Sequence, residues 1–424
     1  MQKILLSSML LATITYASMD TIPTEKRTFE QSKFMPDISL IMDGSFVNRN
    51  IDDDEVVHLE LPGIAHGLIG SHEHGGATHS SYNANNGFNL NYAELVLSSS
   101  VDPSFTMDSV FHFSPDGVEI EELYFTSTAL ANGMRIKGGK FNSNFGYLNE
   151  QHHHSWSFGD MPLVYEAFLG MHGINETGLQ VQWTAPTSTY LMLGAEILQG
   201  ENEQMFGNSS MGGDEENPLV ESETAPSLLI AYAKTSFDID DTTVLAGISY
   251  AQGSSRIDHG DDEESPHLFA GDSSVYGVDL TIKHYFDSYS SLTWQSEYLK
   301  RDMDGIQYNL NSEGAVLGQP DLTKEQSGIY SQLVYTHDKN YQMGLRYDSI
   351  FQNDVKANNS VVEKPNNLNR YSAMLEYHTS EFARFRLQYN HNKALYNEEG
   401  EQESINTLML QVNISIGAHA AHSF

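Results

Sequence analysis

The chain has 424 residues with 57 acidic against 22 basic side chains and no cysteine, a formal net charge of -35. This balance argues against a nucleic-acid partner and for contact with cations, and the absence of thiols leaves no disulfide to staple an exported fold. Abundant Tyr and Phe, high Gly, low Pro and a polar mean hydropathy of -0.39 exclude a bundle of lipid-facing helices.

Residues 1–18, MQKILLSSMLLATITYAS, carry a basic start at Lys3, an apolar core from Ile4 to Ile14 and small residues at Ala17 and Ser18. That is the pattern of a secretory signal peptide, with a core too short to span a bilayer. Residues 19–36 then read as a periplasmic N-terminal segment, and 37–424 as one continuous unit.

From residue 37 the dominant signal is period-two alternation, the mark of strands with two unlike faces. In the last segment Leu408, Leu410, Val412, Ile414, Ile416, Ala418 and Ala420 share one face, and Gln411, Asn413, Ser415, Gly417 and His419 the other. Tyr341, Met343, Leu345, Tyr347 and Phe351 stand in the same way against Gln342, Gly344, Arg346, Asp348 and Gln352. About sixteen such segments of roughly 10–13 residues, the reach of a tilted transmembrane strand, begin near 37, 88, 104, 118, 133, 175, 189, 227, 241, 274, 290, 327, 340, 369, 382 and 405.

The connections alternate too. Short turns fall at 98–103, 130–133, 185–188, 238–241, 286–290, 337–340 and 379–382, and long polar links at 49–87, 142–174, 201–226, 253–273, 303–326, 354–368 and 395–404. One outer link, SPDG at 114–117, is short. Short turns on one side and long loops on the other predict an all-β fold, a transmembrane antiparallel β-barrel of about 16 strands with both termini periplasmic. In lipid such a sheet must close, since every backbone polar group needs an internal partner, and this many strands leave an aqueous lumen.

The link containing KFNSNFGYLNEQHHHSWSFGDMPLVYEAFLG, residues 140–170, is long for a connection and rich in aromatics. Length suggests function, and aromatic content argues against disorder. It is expected to fold into the lumen.

The chain ends AHAAHSF, and a terminal aromatic after an alternating strand resembles bacterial outer-membrane barrels, in which that end is read by the assembly machinery. EELYFTSTALANGMRIKGGKFNSNFGYLNEQHHHSW, FGDMPLVYEAFLG, GLQVQWTAPTSTYLMLGAEILQG and HLELPG resemble a family of proteobacterial porin-like proteins, often described as zinc-regulated outer-membrane proteins and sometimes labelled TonB-dependent receptors. The resemblance implies a porin-like channel in a Gram-negative outer membrane with a link to zinc supply. It does not extend to a receptor, because residues 19–36 are too few for a plug domain.

Candidate metal ligands fall in three groups. His66, His72, Glu73, His74 and His79 lie in the first long link, a flexible stretch whose imidazoles and carboxylate suit Zn²⁺ or a similar divalent ion, or simply make a polar solvated loop. His152, His153 and His154 lie between Glu150 and Asp160; in a strand, His152 and His154 would share a face while His153 points away, and in a turn the geometry is open. Their alternative role is packing with Trp156 and Phe158 to anchor the loop. His259 and His267 flank Asp261, Asp262, Glu263 and Glu264, which with the GDEEN run at 213–217 would concentrate cations at the mouth.

The polar faces of the strands supply pore-lining candidates: Asp43, Asp108, Glu196, Asp279, Glu297, Asp348 and Glu376, with Arg135, Lys137, Lys283, Arg346, Arg384 and Arg386. Opposed charges across a lumen set selectivity, although some will pair with strand neighbours. GxSxG, HExxH and Walker patterns are absent, so no enzyme, catalytic residue or required cofactor is expected. The reading is a cation-favouring outer-membrane pore for small solutes or metal ions, embedded in lipid and with homotrimers as a common habit of porin-like barrels. The alternative is a surface metal-binding or interaction protein that uses the barrel as an anchor.

Overall fold

A computed structural model describes residues 36–417 apart from 67–68, 70, 75–76, 116, 203, 215 and 263–264, and leaves out the side chains of 66, 71–74, 77–80 and 214. The expected signal peptide, most of the segment 19–36 and the end at 418–424 lie outside the described residues.

The main sheet is built from β1 Asp37–Arg49, β2 Gly87–Asp102, β3 Phe105–Ser114, β4 Gly117–Ser127, β5 Met134–Asn142, β6 Asn175–Thr184, β7 Tyr190–Leu198 and β8 Leu228–Ile239. It continues through β9 Thr242–His259, β10 His267–Tyr285, β11 Ser291–Leu310, β12 Asp321–His337, β13 Tyr341–Ala357, β14 Leu368–Ser380, β15 Ala383–Asn392 and β16 Ile405–Gly417. Each strand pairs antiparallel with the next, and β16 returns to β1 in a register running from Ser39↔Gly417 to Arg49↔Thr407. The wall is therefore a closed barrel of 16 strands, with Val316–Gly318 and Ser360–Val362 as short additions at its rim. Closure leaves no unpaired strand edge, the condition for an all-strand span of a bilayer. Among the described residues, no helix is long and apolar enough to cross one.

Alternation locates most strands to within a residue, but β10 and β12 begin at His267 and Asp321, earlier than the expected 274 and 327. The face preference inverts there. Along β10, Val278 and Tyr276 are exposed on the outer face, but one turn of the pleat further up the outward positions become Ser274 and Asp272, while Val275 and Phe269 are buried inside. Phe269 packs with Met303, Leu322 and Val355 from the adjoining strands. Above the bilayer the outer face meets water instead of lipid, so the apolar residues move to the inner face and the pattern changes phase. The expected turn at 98–103 is likewise tighter, because β2 continues to Asp102.

The outer face is apolar, with Leu345, Leu375, Ile248 and Ile416 more than half exposed. Aromatic pairs lie along it: Tyr341 with Tyr377, ring centroids 5.1 Å apart, and Tyr347 with Tyr371 at 5.2 Å. Tyr341 and the exposed Phe351 lie on one face of β13, separated by about 25 Å along the barrel axis at an ordinary strand tilt, the height of an outer-membrane apolar band. Inside, the largest buried apolar group joins residues of 141–174, which fill part of the lumen, to the first long connection and the inner faces of the wall strands.

Candidate functional site

Residues 143–174 connect β5 to β6 and cross the lumen to the opposite wall. The segment is amphipathic in an inverted sense: Phe145, Leu148, Trp156, Phe158, Leu163, Val164, Tyr165, Phe168 and Leu169 are all buried, so burying it in the lumen removes a large apolar area from water. Its backbone, which forms no sheet, finds partners on the wall. Glu297 of β11 accepts from the N–H groups of Tyr147 (2.8 Å) and Leu148 (3.0 Å) and from the hydroxyls of Tyr165 (2.6 Å) and Tyr330 (2.5 Å). Asp348 of β13 accepts from the N–H of Leu163 at 2.8 Å, which caps the helix Leu163–Leu169. Glu196 of β7 accepts from Asn144 N–H, and Gln388 of β15 from Gly159 N–H.

Gly146, with φ +62°, permits the close turn at Glu297: a Cβ there would lie 2.2 Å from the Tyr165 hydroxyl. The guanidiniums of Arg301 and Arg346 lie over the rings of Phe168 and Phe158, each 4.7 Å from the centroid. Arg386 donates to Glu376, Gln411 and the carbonyl of Trp156 at 2.7 Å each.

Three carboxylates share two guanidiniums at the far wall. Arg346 contacts Asp160 (2.9 Å) and Asp348 (3.0 Å), and Arg370 contacts Asp160 (3.2 Å), Glu166 (3.3 Å) and Asp348 (3.4 Å). Burial pushes the Glu166 carboxyl up to about 7, with Arg370 opposing too weakly to restore the ordinary value. For Asp160 burial acts in the same upward sense, but Arg346 and Arg370 hold it below its usual range.

At the near wall the three histidines divide. His153 and His154 open a 3₁₀ turn, His153–Ser155, and His152 precedes it as its N-cap, so the run is not a strand. His152 and His154 nonetheless face the same way, rings stacked with centroids 5.7 Å apart, while His153 turns to Tyr92 (hydroxyl to Nδ1, 3.0 Å) and stacks on Tyr82. Burial holds the His153 imidazole down at about 4. His152 contacts Glu121 (3.2 Å) and Glu122 (3.0 Å), and His154 contacts Glu94 (3.1 Å). His112 of β3 completes the group, 2.8 Å from Glu121 and 3.2 Å from Glu94. Glu94, Glu121 and His152 each offer a ligand atom, all within 4.8 Å of one another, a donor set suited to a borderline divalent ion.

Glu94, His112, Glu121 and Glu122 are not among the residues that alternation or histidine clustering marks out in the sequence. The signal lay in a phase break: Val118 and Ile120 are exposed on β4, and so are Leu123 and Phe125. The register with β3 shifts between Val110↔Glu122 and Phe111↔Ile120, so Glu121 is an extra residue in a β-bulge. The bulge lets two consecutive carboxylates reach the interior.

Asp43, Glu196, Asp279, Glu297, Arg346, Asp348, Glu376 and Arg386 are buried on the inner face, while Asp108, Lys137, Lys283 and Arg384 are partly exposed and Arg135 is exposed. Asp108 accepts from Ser98, Arg135 donates to Gln182, and Lys137 lies 4.5 Å over the Tyr124 ring. Glu150 pairs with Lys234 at 3.4 Å. His259 and His267 face each other across the β9–β10 hairpin, Nδ1 to Nε2 3.4 Å. His66 is registered against Glu60, and His72 and Glu73 against His79 and Thr78 in the hairpin Ser71–Ser80, which also holds His74; their side chains lie outside the described residues, as do Glu263 and Glu264.

No protein-family model matches the chain. Its fold is similar to that of OmpT, an outer membrane protein of Vibrio cholerae, with a TM-score of 0.51 and 12% identity over 93% of this chain and 100% of that one. It is also similar to the outer membrane channel DcaP of Acinetobacter baumannii, with a TM-score of 0.51 and 12% identity over 91% of this chain and 99% of that one. At such identities the likeness establishes the fold, that of outer-membrane porins. A curated relative, an uncharacterized protein of Aquifex aeolicus (strain VF5), is 45% identical over 396 residues, 93% of this chain and 81% of its own length. The chain belongs to the same family as this Aquifex aeolicus protein, and the structure gives that family the 16-stranded porin barrel as its fold.

Proposed function

We propose that the chain is a porin-like channel of a Gram-negative outer membrane that passes small solutes and favours cations. The observation that carries the reading is a closed wall whose lumen is crossed, at its inner face, by a segment held on buried charges. A loop so fixed narrows a pore to a defined size, in contrast to a surface loop that would wave above the mouth. The acidic excess of the chain supports cation preference through the field at the lumen and its rims. The histidines at 66–79 and the His259–His267 pair belong to the long connections and their flanking strand ends, where they would gather divalent ions such as Zn²⁺ before entry.

Conductance of the purified barrel in a planar bilayer under a KCl gradient tests the reading. A reversal potential of cation sign is expected. An anion-sign potential overturns the preference, and a silent bilayer would favour a barrel that serves only to anchor metal-binding loops. A homotrimer is part of the proposal and is checked by the mass of the detergent-solubilised protein.

A further inference from the structure

We propose that Glu94, Glu121 and His152 form a resident divalent-cation site, for an ion of the Zn²⁺ class, that clamps the lumen-crossing segment to the wall. The site goes beyond the channel reading, since an ion held there is part of the structure and need not be the ion that passes.

The donors come from two wall strands and the loop: Glu94 from β2, Glu121 from β4 and His152 from the loop, with His112 of β3 in contact with both carboxylates. Glu122 and His154 stand behind them, on His152 and Glu94. Present contacts of 2.8–3.2 Å between imidazole nitrogens and carboxylate oxygens are close to the roughly 3.4 Å that separates ligands of a tetrahedral zinc with bonds of about 2.1 Å. The ligand atoms of Glu94, Glu121 and His152 all lie within 4.8 Å of one another, so one ion draws them together and releases the protons they share.

Two further observations point to a ligand. The Glu94 side chain is 1% exposed, yet its Oε1 has no hydrogen-bond partner. A buried carboxylate oxygen left unpaired is costly, and a cation would satisfy it. In addition, a cavity of about 30 Å³, lined in part by His112, Glu121, Tyr82 and Trp156, lies against the cluster and gives an ion room to arrive.

The test uses the full barrel carrying His66→Ala, His72→Ala, His74→Ala, His79→Ala, His259→Ala and His267→Ala, which removes the candidate histidine donors of the long connections. It is stripped with chelator and titrated with ZnCl₂ by calorimetry and metal analysis. One tightly bound equivalent is expected, lost in a further Glu94→Gln/Glu121→Gln variant that still shows the heat-modifiable mobility of a folded barrel. Zinc-edge absorption of the loaded background protein should give a mixed nitrogen and oxygen shell near 2.0–2.1 Å. No bound equivalent, or an equivalent that survives Glu94→Gln/Glu121→Gln, overturns the site, as does a shell of oxygen alone. Conductance of the same preparations reports separately on the channel, so either proposal can fail while the other stands.

Discussion

Glu297 accepts four hydrogen bonds, two of them from backbone N–H groups of the loop, so its removal leaves buried donors without partners at roughly 1–3 kcal/mol each. Glu297→Ala should therefore release the segment 143–174, read as new protease cleavage within it and a larger single-channel conductance; unchanged cleavage would contradict the anchoring role. Glu166 gives a pH prediction. Its carboxyl is raised from 4.5 to about 7 in the folded state, so its proton stabilises the docked loop fully below pH 4.5 and that contribution is lost as pH rises through about 7. The effect is roughly 3 kcal/mol at most. Hydrogen exchange of residues 160–170 should accelerate over that range, and Glu166→Gln, which mimics the protonated form, should flatten the change. The inner face positions were legible one by one in the alternation, as with Arg346 and Asp348 on β13. Their partners were not, because pairing across a lumen depends on where a loop crosses it and no period encodes that. The paired Glu121 and Glu122 were hidden by the bulge that makes them useful.

At the scale of elements, the strands were legible wherever one face meets lipid and the other the lumen, since that contrast writes the period of two. Where β9 to β13 project beyond the bilayer, the contrast reverses sign, and the starts of β10 and β12 were placed too late. The helix Leu163–Leu169 left a weaker trace, since seven residues make barely two turns. It is held by Asp348 at its N-terminus and by Phe168 beneath Arg301. Phe168→Ala should cost the docked state about 3–5 kcal/mol, raising hydrogen exchange through 163–169 while the barrel keeps its resistance to unfolding in detergent. Equal loosening of strands and loop would show that the segment and the wall are one cooperative unit.

For the whole molecule, closure and the lumen-crossing segment were expected from cadence and composition, and both are present. The acidic excess should express itself as a salt-dependent selectivity: cation preference strongest at low ionic strength and shrinking as the Debye length falls from about 30 Å at 0.01 M to about 3 Å at 1 M. The direct measurement is the reversal potential of a single purified barrel in a planar bilayer under a tenfold KCl gradient at low ionic strength. A cation-favouring pore gives a steady conductance with a potential of cation sign; an anion-sign potential, or a bilayer that stays silent, would contradict it.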